Sequence, residues 1–370
     1  MHKILTMLLA IILLFSVGIS ARAETAEIYD YGKERLEQAV PPEAAEILDG
    51  SGITPDNNGV TQLSFSGALD LLKQMIFDNI GGPLRLLTAL CGVILLCGLS
   101  AGISDGSDKL SSLFTTVGVL AGAGMTVAAV SDVLTDTLEL LSSASVFITT
   151  FIPLFAGVLS VMGRTASASV INSVTLAATQ LFSQLAVNFL APLCGAVMGL
   201  SITGAIHPQL NLGKLGEFVK KIVTWVLGLL MTVFMSILSL QTFVTSSADN
   251  VLIRTAKFAV SSGVPIVGGT ISDAVGTVHS SLSLIRSSVG TYGMLAAAII
   301  VLPTLINVAC YRLSLTAAET LSDVFGVSEL SSLLKSCGAV MSIIQAVIVC
   351  FLLLNTIAAV ILLAIGNGTA

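Results

Sequence analysis

Apolar stretches long enough to cross a bilayer, whose hydrocarbon core is about 30 Å thick, follow one another from Leu84 onward. Hydrophobic residues make up 54% of the chain and charged residues 10%, whereas soluble domains are about a quarter charged. Backbone groups inside a bilayer must be hydrogen-bonded within the protein, so these stretches are expected to be helices. The sequence therefore predicts an all-α polytopic integral membrane protein with about seven to nine transmembrane or re-entrant helices, at roughly 84–102, 111–131, 145–163, 170–206, 221–245, 290–311 and 338–365.

The fourth stretch, 170–206, is too long for one simple span. Asn188 and Pro192 lie near its middle, which indicates either one kinked helix or a tight pair of spans. Short cytoplasmic loops collect Lys and Arg, and two crossings would place the lysines between positions 214 and 221 on the cytoplasmic side. We therefore favour two crossings. The same rule places Lys109 and Arg164 inside and an acidic loop at 132–139 outside.

The first 82 residues differ in character from the rest of the chain. Lys3, an apolar core and a small-x-small site ending at Ala23 predict a cleavable signal peptide, with an uncleaved first span as the alternative. After it, eleven acidic residues stand against three basic ones, and Pro42 and the serine before Phe65 predict the starts of two amphipathic helices lying on the outer membrane face or a partner. The predicted units are a signal peptide at 1–23, an acidic extracytoplasmic segment at 24–82, a first bundle half at 83–206, and a second half at 207–370 with a small-residue-rich segment at 246–290.

An internal repeat relates the two bundle halves. At an offset of 112 residues, ITTFIPLFAGVLS aligns with VSSGVPIVGGTIS, so that Pro153 meets Pro265 and Gly157 meets Gly269. Transporters and channels often contain such an internal duplication, with the breaks of both halves near the midplane, although small residues also match by chance in an apolar chain. A true duplication predicts proline-broken or re-entrant helices at both sites. Otherwise the segment 246–290 is an outer loop in the interface.

Polar and helix-breaking residues in these regions form the candidate site. A charged side chain at bilayer depth is unfavourable unless it is paired or hydrated, so Asp273 and Arg286 are expected to face a cavity or a partner. His279 lies beside them, with a purely structural role as its alternative. The candidate passage or partner-contact residues are Pro153, Gly157, Arg164, Pro265, Gly268, Gly269, Asp273, His279 and Arg286.

No motif predicts covalent chemistry. The string GLSAG, starting at Gly98, matches the nucleophile-elbow pattern, but it ends a predicted span and does not join a strand to a helix. The sequence has no zinc-protease motif, phosphate-binding loop or dinucleotide fingerprint. We therefore expect no catalytic residue, cofactor or metal, and any ATPase that the protein needs must be another polypeptide.

The most distinctive strings lie between Arg254 and Asp323. The pieces TAKFA, VPIVGG and SDAV, together with FIPLFAGVLSVMGRTASAS and a cleavable leader, resemble the stage III sporulation protein AE family of endospore-forming Firmicutes. The resemblance covers the mature chain in order. It departs from the family at Glu319, where a less polar residue is expected, and in the acidic amino-terminal segment, which is not diagnostic.

The resemblance implies a membrane subunit of a secretion-like channel complex that links mother cell and forespore and supports forespore development. The implied location is the mother-cell-derived outer forespore membrane. The implied partners are other stage III A-operon proteins, including a cytoplasmic ATPase and ring-forming membrane proteins, a forespore-side protein across the intermembrane space, and the lipid bilayer, with no nucleic acid. A self-contained small-molecule permease and a purely structural anchor for the ring components are the alternative functions.

Overall fold

Helices occupy almost all of the chain that the computed structural model describes, namely residues 33–54, 65–103, 108–206, 213–263 and 268–367. No strand occurs in these ranges. After a helical stretch at 33–38, the helices in chain order are α1 (Pro42–Gly50), α2 (Phe65–Asn79), α3 (Gly81–Ile103), α4 (Asp108–Val161), α5 (Thr165–Leu185), α6 (Ala191–Ile206), α7 (Gly213–Gly263), α8 (Gly268–Val324) and α9 (Ser328–Asn367).

Six helical stretches in the described ranges are long and apolar enough to cross a membrane. They are Gly81–Leu99, Thr115–Val161, Thr165–Gly204, Lys214–Thr245, Ser287–Val324 and Ser328–Ala364. The all-α membrane fold is therefore confirmed, with six such stretches in these ranges where seven to nine were predicted. The predicted signal peptide lies outside the described residues.

Helix α4 joins two of the predicted spans, 111–131 and 145–163, into one helix. The prediction of an acidic loop at 132–139 is wrong, because the helix runs without interruption from Asp108 to Val161. The string SDVLTDTLEL has no Gly or Pro, and Asp132, Asp136 and Glu139 lie about one turn apart on an exposed face, so helix and charge coexist. Its apolar part, Thr115–Val161, contains 47 residues. At a rise of about 1.5 Å per residue, this part is roughly 70 Å long, more than twice the bilayer core.

The region predicted as a tight pair of spans is one helical path with a distortion. Helix α5 passes through a π-helical turn at Ala186–Leu190 directly into α6. Pro192 is the second residue of α6, and its ring has no N–H and crowds the carbonyl of Asn188. The wider π turn accommodates this proline without reversing the chain. The favoured two crossings are therefore wrong, and the kinked-helix alternative is confirmed.

The two copies of the sequence repeat have different local structures. In the first copy, α4 continues through Pro153, so the predicted break there is wrong. The second copy covers the end of α7 at Gly263 and the start of α8 at Gly268. Pro265 lies outside the described residues. A common ancestry of the two copies stays a prediction.

The core is built around aromatic rings on one face of α4. The rings of Phe147, Phe151 and Phe155 stack in sequence, with centroids 6.0 and 5.6 Å apart, and all three side chains are buried. Gly293 of α8 lies directly against Phe151, and a Cβ atom at Gly290 would meet the Phe155 ring at 2.9 Å. These glycines let the backbone of α8 approach the stacked rings, which brings the second half of the chain against the first.

A second close helix contact uses the pair Gly118 and Gly122 of α4. Gly118 lies against the Cys97 sulfur of α3, and a Cβ atom at Gly122 would meet Leu330 of α9 at 2.9 Å. The absence of side chains at these positions therefore allows three helices to pack closely.

The amino-terminal helices attach to this bundle. The predicted helix start is confirmed, since α1 begins at Pro42, and it buries Ala44 and Leu48 in the main hydrophobic core. Helix α2 is also confirmed. Large apolar side chains on its predicted face are exposed, and so is the neighbouring Phe77 side chain. They are Leu69, Leu72, Ile76, Phe77 and Ile80. Such a face is suited to a membrane surface or a partner.

Candidate functional site

The candidate site begins at the junction between α4 and α5. Gly163 has φ 84°, and its N–H donates to the Ser160 carbonyl at 3.0 Å, while the Arg164 N–H donates to the Leu159 carbonyl at 3.0 Å. This pair of bonds is the Schellman ending of a helix, which favours glycine because of its positive φ. The sequence "GR" therefore stops α4 at Val161 and lets α5 start at Thr165.

The start of α5 is capped by a residue from a distant helix. The local cap position is Arg164, whose side chain has no hydrogen-bond acceptor. Asp249 of α7 supplies the missing acceptors: its Oδ1 accepts from the Ala166 N–H at 3.1 Å and its Oδ2 from the Ser167 N–H at 3.0 Å. A carboxylate at a helix N-terminus also interacts favourably with the helix dipole.

The capping carboxylate is fully buried. Asp249 has 0% exposure and Arg164 6%. Burying a charge is unfavourable unless it is well hydrogen-bonded, and the two backbone N–H groups stabilise Asp249 at this position. The same contact ties α7 to the junction, since the bonded residues are 82 and 83 positions apart.

A line of polar side chains continues from this cap along the contact between α5 and α7. Ser167 Oγ donates to Thr245 Oγ1 at 3.1 Å, and Thr245 Oγ1 donates to the Gln241 carbonyl at 2.7 Å. Further along, Thr179 Oγ1 donates to the amide oxygen of Asn355 at 3.2 Å. We call this line the polar seam; its members are Arg164, Ser167, Asn172, Thr175 and Thr179 on the junction and α5, Gln241, Thr245 and Asp249 on α7, and Asn355 on α9.

Most of the polar seam is buried inside an apolar bundle, while Asn172, Gln241 and Thr245 are half-buried. Thr175, Thr179 and Asn355 are 0%, 2% and 3% exposed. Asn355 also lines a cavity of about 10 Å³ bounded by Phe147 and Phe351. Polar groups at this depth are unfavourable in a membrane protein and usually have a structural or transport role. The seam is therefore the described feature that departs most from simple hydrophobic packing.

Apart from Pro265, the predicted candidate residues fall into three groups. Arg164 is brought into the polar seam. Pro153 and Gly157 lie on the outside of the bundle, where a Cβ atom at Gly157 would meet nothing within 4 Å. Gly268 and Gly269 are the first residues of α8, and the backbones of Asp273, His279 and Arg286 continue that helix. Pro265 and the side chains of Asp273, His279 and Arg286 lie outside what the structure describes.

Comparison with known proteins identifies the family. A family model described as stage III sporulation protein AE matches residues 53–366, most of the chain. The chain belongs to the stage III sporulation protein AE family. The stage III sporulation protein AE of Bacillus subtilis (strain 168) is 28% identical over 156 residues, which cover 42% of this chain and 39% of that relative. No solved structure matches this chain.

Membership of the stage III sporulation protein AE family confirms the resemblance predicted from the sequence. It implies a role in sporulation. All nine candidate residues, and every residue of the polar seam, lie within the matched region.

Sequence reasoning missed the central residues of the seam in this family member. Asn355 had a local signal, because it is a single amide within FLLLNTIAAVILL. Asp249 had a weaker one, as an acidic residue between the apolar part of α7 and the segment 254–257. Nothing local indicated that Asp249 would cap α5, since that depends on how two distant helices pack.

Proposed function

We propose that this chain is a membrane subunit of the channel complex that links mother cell and forespore, and that forespore development requires it. The proposed location is the mother-cell-derived outer forespore membrane, with the amino-terminal segment outside the cytoplasm. The proposed partners are a cytoplasmic ATPase, ring-forming membrane proteins and a forespore-side protein. The role involves no covalent chemistry. Membership of the stage III sporulation protein AE family carries the proposal.

A face of α4 supports a role within a larger assembly. Thr149, Pro153 and Gly157 follow one another at four-residue spacing, and all three are exposed in a stretch apolar enough to span a membrane. Pro153 has no N–H, so the Thr149 carbonyl loses its usual helical donor. An unbonded carbonyl on a lipid-facing surface is unfavourable. A neighbouring protein helix could approach closely beside Gly157 and supply a donor.

The test is a matched pair of glycine substitutions. Gly157→Leu adds a large side chain to the proposed contact face, whereas Gly228→Leu adds one to an exposed position of α7; neither glycine has an atom within 4 Å of its Cβ position. Each variant replaces the native gene in an endospore-forming host. Spore yield and co-purification with tagged stage III A-operon proteins are then measured.

We expect Gly157→Leu to reduce both readouts at least tenfold at equal protein level, and Gly228→Leu to leave them near wild type. Wild-type spore yield and co-purification in the Gly157→Leu strain would contradict the proposed contact. Normal sporulation after deletion of the whole gene would contradict the proposed function itself.

A self-contained small-molecule permease is the second candidate, and the polar seam is the observation that favours it. A permease needs a polar path within one chain, and the seam runs through the contacts between α5, α7 and α9. Purified protein reconstituted alone into vesicles distinguishes the two functions. Solute uptake in the absence of partners would favour the permease.

A further inference from the structure

Unpaired oxygen atoms are concentrated in the polar seam. In the described part of the chain, four buried side-chain oxygens have no hydrogen-bond partner within the protein. Three of them belong to the seam: Asn172 Oδ1, Thr175 Oγ1 and Gln241 Oε1. Buried polar atoms are nearly always hydrogen-bonded to protein or to water, so three such atoms in one line need an explanation.

The helix register places these residues at similar depths along α5 and α7. The bond between Ser167 and Thr245 fixes how α5 and α7 run past each other in opposite directions. Asn172 lies five residues after Ser167, and Gln241 lies four residues before Thr245, so both are roughly 6 to 8 Å beyond that bond. Thr175 is one turn further along α5. The three oxygens therefore lie within about one to two helical turns of one another along the helix axes.

Their chemistry selects the ligand. Amide oxygens and a threonine hydroxyl are hydrogen-bond acceptors, and the hydroxyl can also donate. Asp249, the one acidic member of the seam, already has both carboxylate oxygens bonded to the N-terminus of α5. A neutral molecule that donates hydrogen bonds therefore fits the three oxygens better than a cation, and water is the smallest such molecule.

The two ends of the seam define a route. One end is the junction at Arg164, which joins the candidate spans Thr115–Val161 and Thr165–Gly204 and so lies towards one face of the membrane. The other end is Asn355, whose amide oxygen accepts from Thr179 Oγ1 at 3.2 Å. From the start of α5 to Thr179 the route is about 20 Å long, or more than half of the bilayer core.

We propose that the polar seam is a hydrated half-channel that holds a file of water molecules from the α4–α5 junction to Asn355. Water bonded to Asn172, Thr175 and Gln241 satisfies their oxygens, and the Thr179–Asn355 hydrogen bond marks the inner end. The half-channel would give the proposed channel subunit a water path through its own helices. This role of the half-channel rests on the proposed function. The hydration itself does not.

Cysteine reactivity tests the hydration on the purified full-length chain. Thr175→Cys in α5 and Val340→Cys in α9 both replace side chains that are 0% exposed. Only Thr175 belongs to the seam. A small charged methanethiosulfonate reagent reacts with thiolates, which form in water and not in an apolar environment. Mass spectrometry of the labelled peptide separates the new cysteine from the six native ones.

We expect Thr175→Cys to react at least tenfold faster than Val340→Cys. Both variants are also labelled after denaturation. Complete labelling there shows that each introduced cysteine is present and reactive once it is exposed. Equal rates would overturn the hydrated half-channel. They would leave the proposed function standing, because the experiment uses no partner protein.

Thr175→Val provides a second measurement that does not need a reagent. It replaces the hydroxyl with a methyl group of similar size. If the seam is dry, removal of an unpaired buried hydroxyl raises the thermal unfolding midpoint by several degrees, and that result overturns the proposal. An unchanged or lower midpoint supports bound water, since the hydroxyl then already has a partner.

Discussion

Replacing Asp249 tests whether the distant cap holds the α4–α5 junction together. Asp249→Ala removes both acceptors of the Ala166 and Ser167 N–H groups, which are bonded at 3.1 and 3.0 Å. A hydrogen bond to a charged group contributes about 1.5–3 kcal/mol, and loss of a local helix cap costs about 0.5–2 kcal/mol. Because the cap is buried and has two bonds, we expect a loss of about 2–4 kcal/mol in the free energy of unfolding.

Asp249→Asn separates the hydrogen bonds from the charge. The amide keeps one acceptor oxygen, and its NH₂ group cannot accept from the second backbone N–H. We therefore expect roughly half the effect of alanine. If Asn is as damaging as Ala, the carboxylate charge and not the pair of bonds stabilises the junction.

Native cysteines provide the assay. Cys194 and Cys337 are 1% and 0% exposed, so a thiol-reactive fluorophore reports their exposure as the detergent-solubilised protein is heated. At about 2 °C per kcal/mol for a chain of this size, Asp249→Ala should lower the midpoint by roughly 4–8 °C.

The control is Asp70→Ala in α2. The Asp70 side chain is 73% exposed and forms an ion pair with Lys73 at 3.2 Å, so its removal should change stability by less than about 1 kcal/mol. Equal midpoints for the Asp249→Ala and Asp70→Ala proteins would refute the role given to the distant cap.

Two further predictions concern the core. Gly293→Ala places a Cβ atom against the Phe151 ring and should cost about 1–3 kcal/mol, whereas Gly228→Ala, where the Cβ position is open, should be within about 0.5 kcal/mol of wild type in the same thermal assay. In a double-mutant cycle, Thr179→Val and Asn355→Ala should show a coupling of about 0.5–1.5 kcal/mol, and fully additive effects would count against their hydrogen bond.

Local chemistry made much of the fold predictable. The apolar stretches had to be helices, because a bilayer offers no other partner for their backbone groups. Pro42 marked the start of α1. Gly163 and Gly326, with φ values of 84° and 73°, each end a long helix ahead of the next one. The strings between Arg254 and Asp323 pointed to the correct family.

The wrong predictions concern places where a helix continues through polar residues or a proline. The acidic residues around Asp136 were expected to form a loop, and Pro153 was expected to break a span, yet α4 passes through both. Charges on an exposed face do not interrupt a helix, and one proline can be tolerated at an outward-facing position. Polar residues and prolines in the sequence indicate where a helix can end. Tertiary packing decides whether it does end there.

The sequence by itself determined that this protein is a set of membrane helices and a member of its family, since hydropathy, proline, glycine and short motifs act over a few residues. Only the tertiary structure decided that Asp249 caps α5, that Thr179 meets Asn355 across 176 positions, and that Pro153 and Gly157 face outwards. Hydrogen-bond partners and buried faces depend on how one helix is rotated and shifted against another. That register is fixed by all of the packed side chains together, including the Phe151 ring against Gly293, and no single segment contains it.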